Sequence, residues 1–152
     1  MQPDKHAIDP LNLVRDIATR AVLAVGLAGI ALIHLLDSIN TFGDTRYLFW
    51  MYMALIAGCL VAAGGVLFTR SRLFFLAAAG LAAATLVGFV LSRTTGLPSD
   101  SGDIGNWTEP LGLASMFVEG AVVALAGAAH AVIPARHQAA RRLRAVVLAE
   151  AA

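Results

Sequence analysis

Two stretches of this chain carry no formal charge over a length sufficient to cross a bilayer: Tyr47 to Thr69 and Leu73 to Ser92. A hydrocarbon core of about 30 Å is crossed by about 20 residues of helix. Lipid leaves every backbone N–H and C=O to be satisfied within the protein. Continuous apolar runs answer this as helices, because a barrel strand would alternate. Two further runs follow the same logic. Ala21 to Leu36 is shorter and lengthens through Ile17, Ala18 and Thr19, with Arg20 snorkelling to the interface. Pro110 to Ala135 is longer and has one charged interruption, Glu119. The sequence therefore predicts an all-α bundle of four transmembrane helices, at about 17–38, 47–69, 73–92 and 111–133. They form one membrane domain over 1–152, with a basic tail at 134–152.

Composition excludes the main alternatives. The chain of 152 residues is 59% hydrophobic and 14% charged, with mean hydropathy +0.76. Soluble domains run at about 45–50% apolar and about 25% charged. A soluble chain of this size would leave large apolar patches in water. The net charge of +1 gives no electrostatic footprint for nucleic acid. The first run ends in His34-Leu35-Leu36-Asp37, without a small-x-small cleavage pattern. Asp4, Asp9 and Asp16 stand beside the basic residues upstream of it, so a retained signal anchor is expected rather than a cleaved leader.

Charge sorts the segments to two sides. With the N-terminus in the cytoplasm, Lys5, Arg15, Arg20, Arg70, Arg72, Arg136, Arg141, Arg142 and Arg144 all fall inside, and only Arg46 and Arg93 fall outside. The positive-inside rule then gives an N-in, C-in protein of the cell membrane. Tyr47, Trp50 and Tyr52 suit an aromatic belt at the outer end of the second span, with Trp107 in the outer loop. Asp9-Pro10 is a helix-start signal, and Leu13, Val14, Ile17 and Ala21 share a face behind it. Pro134 would open a basic helix lying on the inner leaflet, or else the tail is a solvated topology signal. Small residues recur at four-residue spacing in Gly58 and Ala62, in Gly80, Ala84 and Gly88, and in Gly120, Ala124 and Ala128. Such stripes permit close helix approach within a bundle or between chains.

Few residues are placed to carry chemistry. Glu119 lies about two turns inside the fourth span, where a carboxylate is costly and by default marks a polar path or a pair. The alternative is a hydrogen bond or ion pair that ties helices together. Ser115 and Met116 share its face. His34 ends the first span with Asp37 one turn on, an arrangement in which a carboxylate behind the imidazole would fix its tautomer. The plainer reading is an interfacial histidine. Arg93 is the expected counter-ion of Asp37 or Glu119. The four spans thus bring His34, Asp37, Arg46, Arg93, Glu109 and Glu119 into the outer half of the bundle. If a metal is bound, His34 and Glu119 are its ligands; no cofactor is identified by any motif. His130 shares the face of Glu119 but lies at a depth about 20 Å from His34, which excludes the pair as axial ligands of one haem. The lone Cys59 forbids an internal disulfide and suits packing.

The connection from Thr94 to Pro110 is long for neighbouring helices. Its acids miss the calcium-loop template, with Gly102 and Ile104 where ligands should follow Asp100. Asn106-Trp107-Thr108 matches a glycosylation triplet, which matters only in a pathway that uses it. A structured cap over the bundle mouth is expected, with Trp107 at the interface; the plain alternative is an irregular loop. The run Arg93-Thr94-Thr95-Gly96-Leu97-Pro98, then Asn106-Trp107-Thr108-Glu109-Pro110-Leu111-Gly112 and Glu119, together with His34-Leu35-Leu36-Asp37, resembles small four-helix integral membrane proteins of actinobacterial type. The resemblance covers about 17 to 133. It implies the four-span topology and a bacterial cell membrane, and no activity.

Three functions compete. The absence of a catalytic motif and the small-residue stripes favour a non-catalytic accessory subunit or binding module, with a homo-oligomer or a larger membrane complex as its setting. Glu119 alternatively serves a proton- or ion-coupled transporter, although the charge asymmetry argues against dual-topology assembly. A metal, haem or quinone site using His34 is the third. Hydrolysis has little support, because Ser115 lacks a histidine at its own depth.

Overall fold

The computed structural model describes residues 10–69 and 71–129. Its regular structure is helical throughout, in α1 (Pro10–Asp44), α2 (Arg46–Phe68), α3 (Arg72–Thr94) and α4 (Pro110–Ala129). All four are long and apolar enough to cross a membrane, as in a multi-pass membrane protein. The basic tail, Lys5, Asp9, Arg70 and His130 lie outside the described residues.

α2, α3 and α4 each begin or end where a side chain takes over unpaired backbone groups. Ser71 caps α3, its hydroxyl accepting from the N–H of Leu73 at 3.3 Å. Glu109 caps α4, its carboxylate accepting from the N–H groups of Leu111 at 3.0 Å and Gly112 at 2.6 Å, with Pro110 at the first helical position. An anion suits that helix end because the peptide dipoles leave it positive. At the end of α2 the partner is remote. Arg20, on α1, donates from Nη1 to the carbonyls of Val66 at 2.8 Å and Thr69 at 2.6 Å. Its Nε pairs with Asp16 at 2.9 Å. Arg20 therefore reaches sideways and caps α2. A guanidinium over the negative end of a helix gains from dipole and hydrogen bonds alike.

α1 runs beyond the expected 17–38 span at both ends. The flanking Leu13, Val14 and Ile17 are its first turns, exposed and continuous with the span rather than a separate surface helix. Polar side chains at both ends return to their own helix, which removes any reason to break it. Thr19 donates to the carbonyl of Arg15, Ser38 to Leu35 and Thr41 to Asp37. Only Thr45 separates α1 from α2.

The helices form a ring. α1 packs along α2 in opposite directions, since Arg20 meets Val66, His34 meets Tyr52 and Phe42 meets Phe49. α2 meets α3, α3 meets α4 and α4 returns to α1, while α1 and α3 touch little across the middle. Leu23, Leu27, Ile30, Cys59, Val66, Phe75, Ala78 and Val122 are buried between them. Gly26 and Gly65 permit the closest approaches. A methyl group on Gly26 would stand 2.5 Å from Val122 Cγ2, and one on Gly65 would overlap the Phe74 ring. The predicted stripes behave unevenly. Gly58 abuts Leu81 and Ala62 is buried, but nothing stands within 4 Å of where a methyl would project from Gly80, Gly88 or Gly120. Those residues face outward or toward open space inside the ring, so their small size is not used for packing among the described residues.

Candidate functional site

The ring closes tightly where α1 begins and opens at the other end, beneath the 95–109 loop. A cavity of about 900 Å³ lies there. It touches all four helices and the loop, with Met51, Leu55, Leu81 and Phe89 among its apolar walls. At its base stands Glu119, 1% exposed and about 14 Å along α4 from Pro110. Ser115, one turn earlier, donates its hydroxyl to Glu119 Oε1 at 2.7 Å. His34 brings Nε2 to 3.9 Å from the same oxygen. Glu119 Oε2 has no hydrogen-bond partner among the described residues. A buried carboxylate oxygen without a partner carries a desolvation cost that the fold does not offset.

His34 is held from its own helix. Its Nδ1 lies 2.9 Å from the carbonyl oxygen of Ile30. A carbonyl only accepts, so Nδ1 bears the hydrogen in that contact and Nε2 is left facing Glu119. The expected roles of the neighbours change accordingly. Asp37 does not stand behind the imidazole; it faces the Tyr52 hydroxyl across the α1–α2 contact. The Tyr52 ring meets the His34 ring edge-on at 5.2 Å. Tyr52 is half-buried and turned inward, so it does not belong to an aromatic belt, whereas Trp50 is exposed.

Arg93 does not reach Asp37 or Glu119. Buried to 6% exposure, its Nη1 lies 2.5 Å from Asp103 and its Nη2 3.5 Å from Glu109, with the guanidinium 4.8 Å above the Phe89 ring. Its backbone carbonyl accepts from the N–H of Gly105 at 2.9 Å. The reason is local. α3 ends at Thr94, and Gly96, at φ 75°, turns the chain back over that end. A left-handed glycine there costs no side-chain clash. The loop then folds onto the arginine that precedes it. Tyr47 adds a second tie, donating from its hydroxyl to the carbonyl of Pro98 at 2.7 Å. Leu97 and Asp100 exchange backbone hydrogen bonds. The segment is thus an ordered cap. Gly112 lets α4 close beneath it, since a methyl there would lie 2.5 Å from Phe89.

His34, Asp37, Arg93, Glu109 and Glu119 all line this one cavity. Trp107 stands apart, 43% exposed and edge-on to Phe89 at 6.1 Å. Arg46, also expected in the group, sits over Phe42 and does not line the cavity. Among the described residues no three His, Cys, Asp or Glu side chains are grouped to hold a metal ion. Tyr52 and the Arg20 cap escape sequence reasoning, because both depend on the register between α1 and α2. Comparison with family models, curated proteins and solved structures finds no match to this chain.

Proposed function

We propose that this chain is a non-catalytic binding module of the cell membrane, taking a small amphiphilic ligand into the cavity at the loop end. The single observation that carries the reading is Glu119: a fully buried carboxylate at the base of an open cavity, with one oxygen unpartnered. A carboxylate used only to join helices would have both oxygens engaged. The apolar walls and few convergent polar groups match the usual make-up of ligand pockets. The loop end faces outward and both termini face the cytoplasm, a placement supported by the distribution of basic residues. The module acts as an accessory subunit, as a homo-oligomer or within a larger membrane complex; the small residues Gly120, Ala124 and Ala128 would serve such a contact.

Purification in mild detergent followed by native mass spectrometry tests this. The wild-type chain is expected to retain a small molecule that Glu119→Gln loses, with helicity unchanged. An identical complement in both proteins would remove the reading. A second reading, coupled transport of protons or ions, draws on the 3.9 Å approach of His34 Nε2 to Glu119 Oε1. A proton carried by either atom makes the two a donor and an acceptor, which a closure of about 1 Å would join in a hydrogen bond. Flux into vesicles abolished by Glu119→Gln would favour transport over binding alone.

A further inference from the structure

We propose that the ligand of this cavity is an organic cation with an apolar body. The inference rests on the binding-module reading and adds the ligand's charge. Five carboxylates line the cavity, those of Asp37, Asp100, Asp103, Glu109 and Glu119, against the single guanidinium of Arg93. That guanidinium is already committed to Asp103 and Glu109 and stacked on Phe89. Its charge is already shared between two of the five carboxylates, so the lining as a whole stays acidic. Glu119 has no arginine or lysine beside it among the described residues; it is buried at the cavity base with Oε2 unpartnered. Asp37 adds negative charge higher on the α1 wall, beside Tyr52. Acidic side chains thus run from the base to the mouth, and the walls between are apolar. Low-dielectric walls concentrate the field of such charges on whatever enters.

An inorganic ion does not fit these facts. The carboxylates are spread along the cavity rather than grouped, and no metal-holding cluster exists among the described residues. Dispersed acids along an apolar wall suit an extended ligand. Its cationic head would pair with the Glu119 carboxylate at the base and its body would lie against Leu55, Leu81 and Phe89. The faces of Tyr52 and Phe89 supply cation–π surface near the head and mouth.

Tetraphenylphosphonium and tetraphenylborate share one shape and carry opposite charge, so together they separate charge from hydrophobic partition. Binding of each to the full chain in a neutral detergent is measured by equilibrium dialysis. Tetraphenylphosphonium is expected to bind saturably to the wild type and tetraphenylborate only to partition without saturation. Glu119→Gln is expected to weaken the phosphonium at least tenfold, and Asp37→Asn by a smaller factor. Asp37 is exposed, so its variant tests the field without disturbing buried packing; circular dichroism confirms the helicity of both. Equal phosphonium affinity in the wild type and both variants would overturn the proposal. Saturable binding of tetraphenylborate alone would overturn the charge and leave the binding module standing. Saturable binding of neither probe would also overturn it, and the small molecule retained in native mass spectrometry would then decide the module reading separately.

Discussion

At the scale of single residues, two charged side chains inside the helical region have opposite fates. Arg20 spends its donors on the carbonyls of Val66 and Thr69 and on Asp16. Its burial is answered by hydrogen bonds, and its role is structural. Glu119 has one oxygen answered by Ser115 and one left open. Arg20→Ala should therefore destabilise the protein by about 1.5–3 kcal/mol, the usual worth of hydrogen bonds to a charged group. Arg20→Lys should recover part of the loss, because an ammonium donates but lacks the planar fork. Unfolding in mixed micelles measures both. Glu119→Gln is expected to change ligand retention instead. The sequence makes Glu119 conspicuous through depth alone, and its hydroxyl partner Ser115 is visible at i, i−4. It does not reveal that Asp37 turns to Tyr52, or that His34 meets Glu119. Both depend on how α1 is rotated against its neighbours, which local spacing leaves open.

At the scale of elements, the 95–109 loop is held by its two ends. Arg93 binds Asp103 and Glu109, and Glu109 at the same time caps α4. One arginine thus couples the end of α3, the loop and the start of α4. Arg93→Gln keeps a planar donor but removes the charge that two carboxylates share. It should loosen the cap, seen as faster proteolytic cleavage within 95–109 while the four helices remain resistant. Unchanged cleavage would mean that Tyr47 and the Gly96 turn hold the loop unaided. The boundaries of α2 and α3 are closely legible from the uncharged runs. The full length of α1 is not. Its ends leave the apolar run, where hydropathy gives no signal, and Thr19, Ser38 and Thr41 satisfy their hydroxyls on carbonyls of the same helix without ending it. The small-residue stripes mislead for a related reason. Four-residue spacing shows that a face is smooth, but not which neighbour it meets, and the close contacts fall at Gly26, Gly65 and Gly112 instead.

At the scale of the whole molecule, the four helices do unequal work. Where α1 begins, the ring is filled by Leu23, Leu27, Val66 and Phe75. Toward the loop it opens into a cavity whose charges are mostly negative and whose roof is pinned by Arg93. The central claim is that Glu119 stands in a wet cavity reached from the outer side. The most direct test places a cysteine there, as Glu119→Cys with Cys59→Ala, in intact cells. A membrane-impermeant methanethiosulfonate is added outside, with Ser101→Cys on the exposed loop as the control for reagent access. Modification of position 119 from outside is the predicted result. A folded Glu119→Cys protein that stays unmodified from outside, while Ser101→Cys reacts fully, would contradict the account.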